Sequence, residues 1–159
     1  MRILFVSNAE WAGTGYGVQA KGLIPGLEKL GHTVGVFPFW GLQGGLIEYN
    51  GRPNYPLWGN EWGNDVFQLH AQHFKADVVI TLQDTWVMNE NYGNLVKWIP
   101  WVPVDHSPLP PQVKERTSTA LRIVAFSKFG QQEFANAGVK TDYIPHGVDV
   151  ENYKPLPVD

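Results

Sequence analysis

Three features of the chain predict a doubly wound α/β fold: a Rossmann-like, mostly parallel sheet with helices on both faces. Apolar, β-rich runs alternate with stretches of helical spacing along most of the length. Residues 2–39 read as strand, glycine loop, helix, glycine stop and strand, which is a βαβ unit with a right-handed crossover. Asp77-Val78-Val79-Ile80-Thr81-Leu82 is a continuous apolar run of the kind required by a strand buried on both faces.

Taken in order, residues 2–7 form the first strand and end at small polar residues. Helical spacing through Val18, Leu23, Leu27 and Leu30 marks residues 15–30, and Gly31-His32 closes that helix as a glycine C-cap does. Residues 33–39 supply the second strand. Residues 41–64 change texture to Gly, Asn, Pro and aromatics, and are expected to be an insertion at the rim of the sheet. Within it, residues 47–52 read as a hairpin turning at Asn50-Gly51. A helix over 65–75 precedes the buried strand at 77–82. Further strands are expected at 97–104, where Pro100 and Pro103 each remove a ladder donor, at 121–127 and at 141–145. Residues 110–120 and 128–137 take the helical places between them, with Gly138 as a cap. Residues 1–150 are thus one domain, and residues 151–159, with Pro155 and Pro157 and no apolar period, have linker composition.

Composition narrows the function. A chain of 159 residues that is 43% apolar is long enough for one substantial core. A net charge of −3 with no Lys/Arg run argues against nucleic acid as a partner. The absence of cysteine removes disulfides, thiolate metal sites and cysteine nucleophiles, which suits a reducing compartment, and a cytoplasmic location is expected. The apolar start is broken by Asn8, Glu10 and glycines, so it reads as a strand and not as a signal peptide. Membrane contact is expected to be peripheral at most, since no apolar run approaches the roughly 20 residues of a span. Seven tryptophans are a heavy load, serving either as core and rim residues or as sugar-stacking faces.

In open α/β sheets, ligands collect beyond the carboxyl ends of the strands. After the first strand lies a loop containing Gly13, Thr14, Gly15, Tyr16 and Gly17, whose backbone N–H groups suit a phosphate or sugar hydroxyl at a helix N-terminus; close helix packing is the competing explanation. It is not a dinucleotide fingerprint, because Val18 breaks the third glycine position and no acid ends the second strand. It is not a P-loop either, because Lys21 is followed by Gly22. Beyond the 77–82 strand stand Asp84 and Trp86, a carboxylate and an indole suited to an acceptor. Beyond the 97–104 strand, Asp105 and His106 offer an adjacent carboxylate and imidazole, the leading catalytic pair. Ser127, followed by Lys128, opens a helix and reads as its N-cap while remaining able to touch a ligand. His146, Gly147 and Asp149 stand where the linker begins. His70 and His73 are three apart on a helix, but no third ligand is placed, so no metal site is expected. A serine hydrolase is disfavoured, since no Gly-x-Ser-x-Gly elbow occurs.

Residues 1–7, the glycine loop, Leu30-Gly31-His32-Thr33-Val34, Val124-Ala125-Phe126-Ser127 and Ile144-Pro145-His146-Gly147-Val148-Asp149 together resemble the amino-terminal domain of GT-B-fold family 4 (group 1) glycosyltransferases. The most specific piece is Pro145 to Asp149 followed by Tyr153-Lys154-Pro155. The resemblance implies a two-domain enzyme that transfers a sugar from a nucleotide-diphosphate sugar, with retention at the anomeric carbon, and needs no intrinsic cofactor. It implies that the Gly13 to Gly17 loop approaches the donor diphosphate or the acceptor, that His106 contacts the transferred sugar, and that Ser127 lines the same cleft. Residues 145–149 would be hinge and cleft floor. The family's basic pair and Glu-x7-Glu motif belong to a C-terminal donor-binding domain that has no counterpart in these 159 residues, so the chain alone is expected to transfer little or no sugar. A glycan or other hydroxyl acceptor is the expected ligand. The alternatives are a non-catalytic glycan- or nucleotide-binding module, or an interaction domain that docks on a separately encoded donor-binding half. An exposed cleft face rich in Trp and Tyr is expected to favour a homodimer.

Overall fold

A computed structural model describes residues 1–156. The chain forms one Rossmann-like α/β domain around an eight-stranded sheet. Strand β1 (Arg2–Asn8) is its centre: five consecutive residues, Ile3 to Ser7, are buried because parallel neighbours flank both edges and helices cover both faces. Helix α1 (Gly15–Lys29) crosses to β2 (Thr33–Trp40), which pairs with β1 on one side. The hairpin strands β3 (Ile47–Tyr49) and β4 (Arg52–Asn54) turn through Asn50 and Gly51, whose φ values of 50° and 74° fit the left-handed turn that Asn-Gly favours. They extend the sheet beyond β2: β4 pairs with β2 in parallel, at Val36 and Asn54, and β3 is the antiparallel edge.

Helix α2 (Phe67–Phe74) returns the chain to β5 (Val78–Leu82), on the other side of β1. A 3-10 turn (Thr85–Val87) and a short helix α3 (Tyr92–Leu95) follow, then β6 (Trp98–Val102), helix α4 (Pro111–Thr117), β7 (Val124–Ala125), helix α5 (Lys128–Asn136) and β8 (Asp142–Tyr143). The spatial order is β3-β4-β2-β1-β5-β6-β7-β8. Because β2 and β5 leave β1 in opposite directions, the switch point of the sheet, where a crevice opens, lies at the carboxyl ends of β1 and β5.

The period of two along β1 divides the core. Leu4 and Val6 join Phe37, Phe67, Tyr92 and Trp98 on the face covered by α2 and α3. Phe5 joins Ala20, Ile24, Val36 and Trp101 on the face covered by α1. Each fully buried aromatic or aliphatic side chain contributes about 1.5–3 kcal/mol. The Trp98 indole N–H donates to Thr81 Oγ1 at 2.9 Å, and Phe67 stacks on Tyr92 at 3.8 Å between centroids. A smaller cluster of Val102, Val113, Ile123 and Phe134 seats α4 and α5 at the far end of the sheet.

The strand expected over 121–127 is only two residues long. It pairs with β6 at two positions alone, Trp101↔Val124 and Val102↔Ala125, while Ile123 turns into the α4–α5 cluster. Trp98 O accepts from Leu121 N, so the even-numbered residues of β6 present their backbone to β7, and the N–H that Pro100 lacks falls on that side, ahead of the paired stretch. Of the expected linker, residues 157–159 lie outside the described residues.

Candidate functional site

Beyond β1 the chain makes a fixed loop. Asn8 Nδ2 donates to Thr14 Oγ1 at 2.7 Å, and the same oxygen accepts from Gly17 N at 3.1 Å, capping α1. Gly13 and Gly15 have open space where a side chain would stand, whereas a Cβ on Gly17 would collide with the carbonyl oxygens of Ala9 and Ala12. Thr14 and Tyr16 thereby face a crevice of about 260 Å³ at the switch point, opposite Gln83 and Asp84 and bounded by Trp40 and Trp62. The loop is also tied from below. Glu10, buried, is gripped by Arg52 Nη1 at 2.9 and 2.8 Å, and the same guanidinium holds both oxygens of Glu28 near the end of α1 at 3.0 and 2.7 Å.

Asp84 belongs equally to a second cleft of about 450 Å³, beyond β5 and β6, where Thr85, Trp86, Val104, Asp105 and His106 are the other principal walls. His106 Nδ1 lies 2.7 Å from Asp105 Oδ1, with both side chains largely exposed. That bond holds the Asp105 carboxyl below the usual carboxylate range. Burial pushes the Asp84 carboxyl up, and the charge of Asp105 adds to the rise. Burial, reinforced by Asp84 and Asp105, pushes the Tyr16 hydroxyl up to about 12. No Lys or Arg lines either cleft, so the field here is negative. The indoles of Trp62 and Trp86 stand 6.4 Å apart, between the two clefts.

Asp84, Trp86, Asp105 and His106 are thus brought together, and Asp84 links them to Thr14 and Tyr16. Elsewhere, Ser127 Oγ accepts from Gly130 N at 2.9 Å and caps α5, and Lys128 Nζ lies 4.3 Å from the centroid of the Tyr143 ring; neither lines the two clefts. His146 packs on Trp101 and Phe126, at 4.7 and 4.1 Å between centroids, and burial lowers its pKa. Gly147 exchanges two hydrogen bonds with the Gln19 amide, at 3.0 and 3.1 Å. Asp149 caps the following turn through Asn152. Gly147 and Asp149 line a separate cavity of about 720 Å³ beside Val18, Leu23 and Tyr153 of the α1 face and the tail. His70 bonds to Pro56 O and His73 to the Tyr55 hydroxyl, so the two imidazoles serve different partners. Among the described residues no group of three or more His, Cys, Asp or Glu is arranged to hold a metal ion.

Two features of the site were not assigned from sequence. Trp40 and Trp62, from the end of β2 and the insertion, bound the switch-point crevice. Gln83, 2% exposed, has both amide atoms buried without a hydrogen-bond partner, and the buried Thr85 hydroxyl also lacks one. Their position at the carboxyl end of β5 was the available signal; their unsatisfied bonds were not visible in the sequence. Chemically, indole faces can cover the C–H surface of a pyranose while carboxylate, amide, hydroxyl and imidazole groups take its hydroxyls.

The fold and this crevice define a class: a Rossmann-like α/β domain with a crevice at the switch point of the sheet. A solved structure of sucrose-phosphate synthase from Thermosynechococcus elongatus, a GT-B glycosyltransferase, superposes on the chain with a TM-score of 0.61 at 13% identity, covering 95% of this chain and 92% of that one. The chain therefore has a GT-B-like, glycosyltransferase-like fold. No protein-family model matches it, and no curated protein sequence does either. Among the described residues no helix is long and apolar enough to cross a membrane.

Proposed function

We propose that this chain is the acceptor-side domain of a retaining glycosyltransferase of the family 4 kind, and that the paired clefts around Asp84 receive the sugar acceptor. The observation that carries this reading is the convergence of Asp84, Trp86, Asp105 and His106 on one cleft of about 450 Å³ beyond the carboxyl ends of β5 and β6. A pocket of mixed indole and polar walls suits a polyhydroxylated ligand. With Asp105 engaging Nδ1, the His106 ring is oriented and Nε2 remains to bond a hydroxyl of the sugar in transit. Asp105 in this role positions the imidazole, and His106 touches substrate.

The absence of Lys and Arg from both clefts is consistent with the acceptor side and unsuited to a diphosphate. Groups outside these clefts must neutralise the donor's departing charge, and on this reading they come from a donor-binding domain facing the sheet end. The Gly13 to Gly17 loop then lies between the two substrates, with Thr14 and Tyr16 on the acceptor side. Titration by ligand-observed NMR or calorimetry with UDP- and GDP-sugars and a panel of glycan acceptors tests the reading. Acceptors should bind, and His106→Ala and Trp86→Ala should each weaken them several-fold. Tight binding and turnover of a nucleotide sugar by these 159 residues alone would overturn it.

A further inference from the structure

Asp84 is a half-buried carboxylate without a counter-ion. None of the ion pairs among the described residues includes it, and its only hydrogen bonding is to its own backbone amide. The one imidazole in the cleft, His106, is already engaged by Asp105. On either side of Asp84 stand the two orphaned polar side chains: Gln83, 2% exposed and lining the switch-point crevice, and Thr85, 1% exposed and lining the neighbouring cleft. Asp84 lines both. Three consecutive residues at the end of β5 thus bring together a carboxylate bonded only to its own backbone amide and an amide and a hydroxyl with no partner, and a buried polar group left unmatched carries a cost that a suitable ligand removes.

We propose that the acceptor seated in this crevice carries a protonated amine, as an amino sugar does, with the ammonium against Asp84; the inference rests on the acceptor-site reading above. An ammonium group offers three donors and a positive charge; Asp84 can accept from it in either cleft, with the Gln83 side-chain oxygen as a neighbouring acceptor on the switch-point side and the Thr85 hydroxyl on the other. The anionic group of a phosphorylated or carboxylated acceptor can only accept, and it meets two carboxylates, Asp84 and Asp105, with no Lys or Arg on either cleft wall. A neutral sugar supplies donors but leaves the charge of Asp84 uncompensated. The charge of Asp105 reaches Asp84, and both carboxylates act on the Tyr16 hydroxyl, so the two acids belong to one electrostatic neighbourhood.

The test is a comparison of matched ligands on the full chain: hexosamine, its N-acetylated form, the parent hexose and the hexose phosphate, in glucose and galactose series, titrated by calorimetry or ligand-observed NMR. The free amine is expected to bind about tenfold tighter than the acetamide, the margin of a charge-assisted over a neutral hydrogen bond. That margin should shrink with added salt and collapse in Asp84→Asn, whose folding is checked by its thermal midpoint. Acetylation of the ligand probes the same contact without altering the protein. Acetamide binding as tight as the amine, or the phosphate binding tightest, would overturn the proposal. If neutral sugars bind with no amine preference, this inference alone falls; if no sugar in any series binds, the acceptor-site reading falls and this inference with it.

Discussion

Replacing Arg52 by methionine should cost more stability than any other single exchange on the polar side of this domain. Arg52 is 4% exposed, and its guanidinium makes four hydrogen bonds to two carboxylates, two to Glu10 and two to Glu28. The two partners are not equivalent. The Glu28 side chain is 35% exposed, so water takes over much of its solvation and its pair contributes at most about 1 kcal/mol. The Glu10 side chain is 1% exposed, and Arg52→Met leaves that carboxylate buried without its counter-ion, a change that costs about 3–5 kcal/mol. Against a total of roughly 5–15 kcal/mol for a domain, that is a large share.

The pH dependence separates the two acids. Burial raises the Glu10 pKa above 4.5 despite Arg52, so its stabilising contribution is fullest in acid and declines as pH rises through its raised folded value. The hydrogen bond to Arg52 lowers the Glu28 pKa below 4.5, so its contribution is present above that value and is lost as pH falls through its folded value. Without Arg52, Glu10 titrates higher still. The deficit of Arg52→Met should therefore be largest at neutral pH and shrink in mild acid. Urea denaturation followed by tryptophan fluorescence measures it, and Glu10→Gln combined with Arg52→Met should recover about 2 kcal/mol by removing the stranded charge. A neutral-pH loss below about 1 kcal/mol, or a deficit indifferent to pH, would refute the account of this network.

Gly17→Ala should lower stability by about 1–3 kcal/mol, because its Cβ meets backbone oxygens of Ala9 and Ala12; Gly22→Ala, with open space inside the same helix, should raise it by about 0.5–1 kcal/mol, and thermal midpoints of the two variants check both signs. Thr14→Ala should cost about 1 kcal/mol in denaturant titration through loss of the α1 cap, and should weaken acceptor binding by releasing Asn8 as well. Burial lowers the pKa of His146 and of His70 from 6.5 and so favours their neutral forms; stability should be full above that value and fall as pH drops below it, and His146→Phe should flatten part of that slope in a pH series of melting curves.

The fold was legible wherever one strand's burial could be read from its own residues. The run 77–82 announced a central strand, and the helix closing at Gly31-His32 announced the first crossover. The end of the sheet was less legible, because the length of β7 depends on how many residues of β6 remain to pair with it, and Pro100 and the turn of Ile123 limit that to two positions. The segment between β5 and β6 received no element from the sequence; its 3-10 turn and one-turn helix are held by the stacking of Tyr92 on Phe67 and by Gly93, where an added Cβ would collide with Thr119 O. The hairpin was read correctly from Asn50-Gly51, but its pairing with β2 at Val36 and Asn54, and the tie of Arg52 to acids 42 and 24 residues away, are relations that local spacing does not encode.

The candidate site divides in the same way. Asp84, Trp86, Asp105 and His106 could be singled out because each stands at the carboxyl end of a strand, where doubly wound sheets expose side chains to a ligand. What the sequence did not disclose was the balance of charge around them. Lys21, Lys128 and Lys114 are near in the chain to loops of this end, yet Lys128 lies over Tyr143, Lys114 donates to Ala137 O, and none of the three lines either cleft. The result is a crevice in which one carboxylate is engaged by His106 and another is left to attract whatever enters. A surface of that sign favours a facing surface of the opposite sign. If a donor-binding domain closes over it, cations brought to hold a diphosphate would also be drawn toward Asp84. An amine-bearing acceptor would compete with those cations for the carboxylate, so the order in which the two substrates bind should depend on ionic strength.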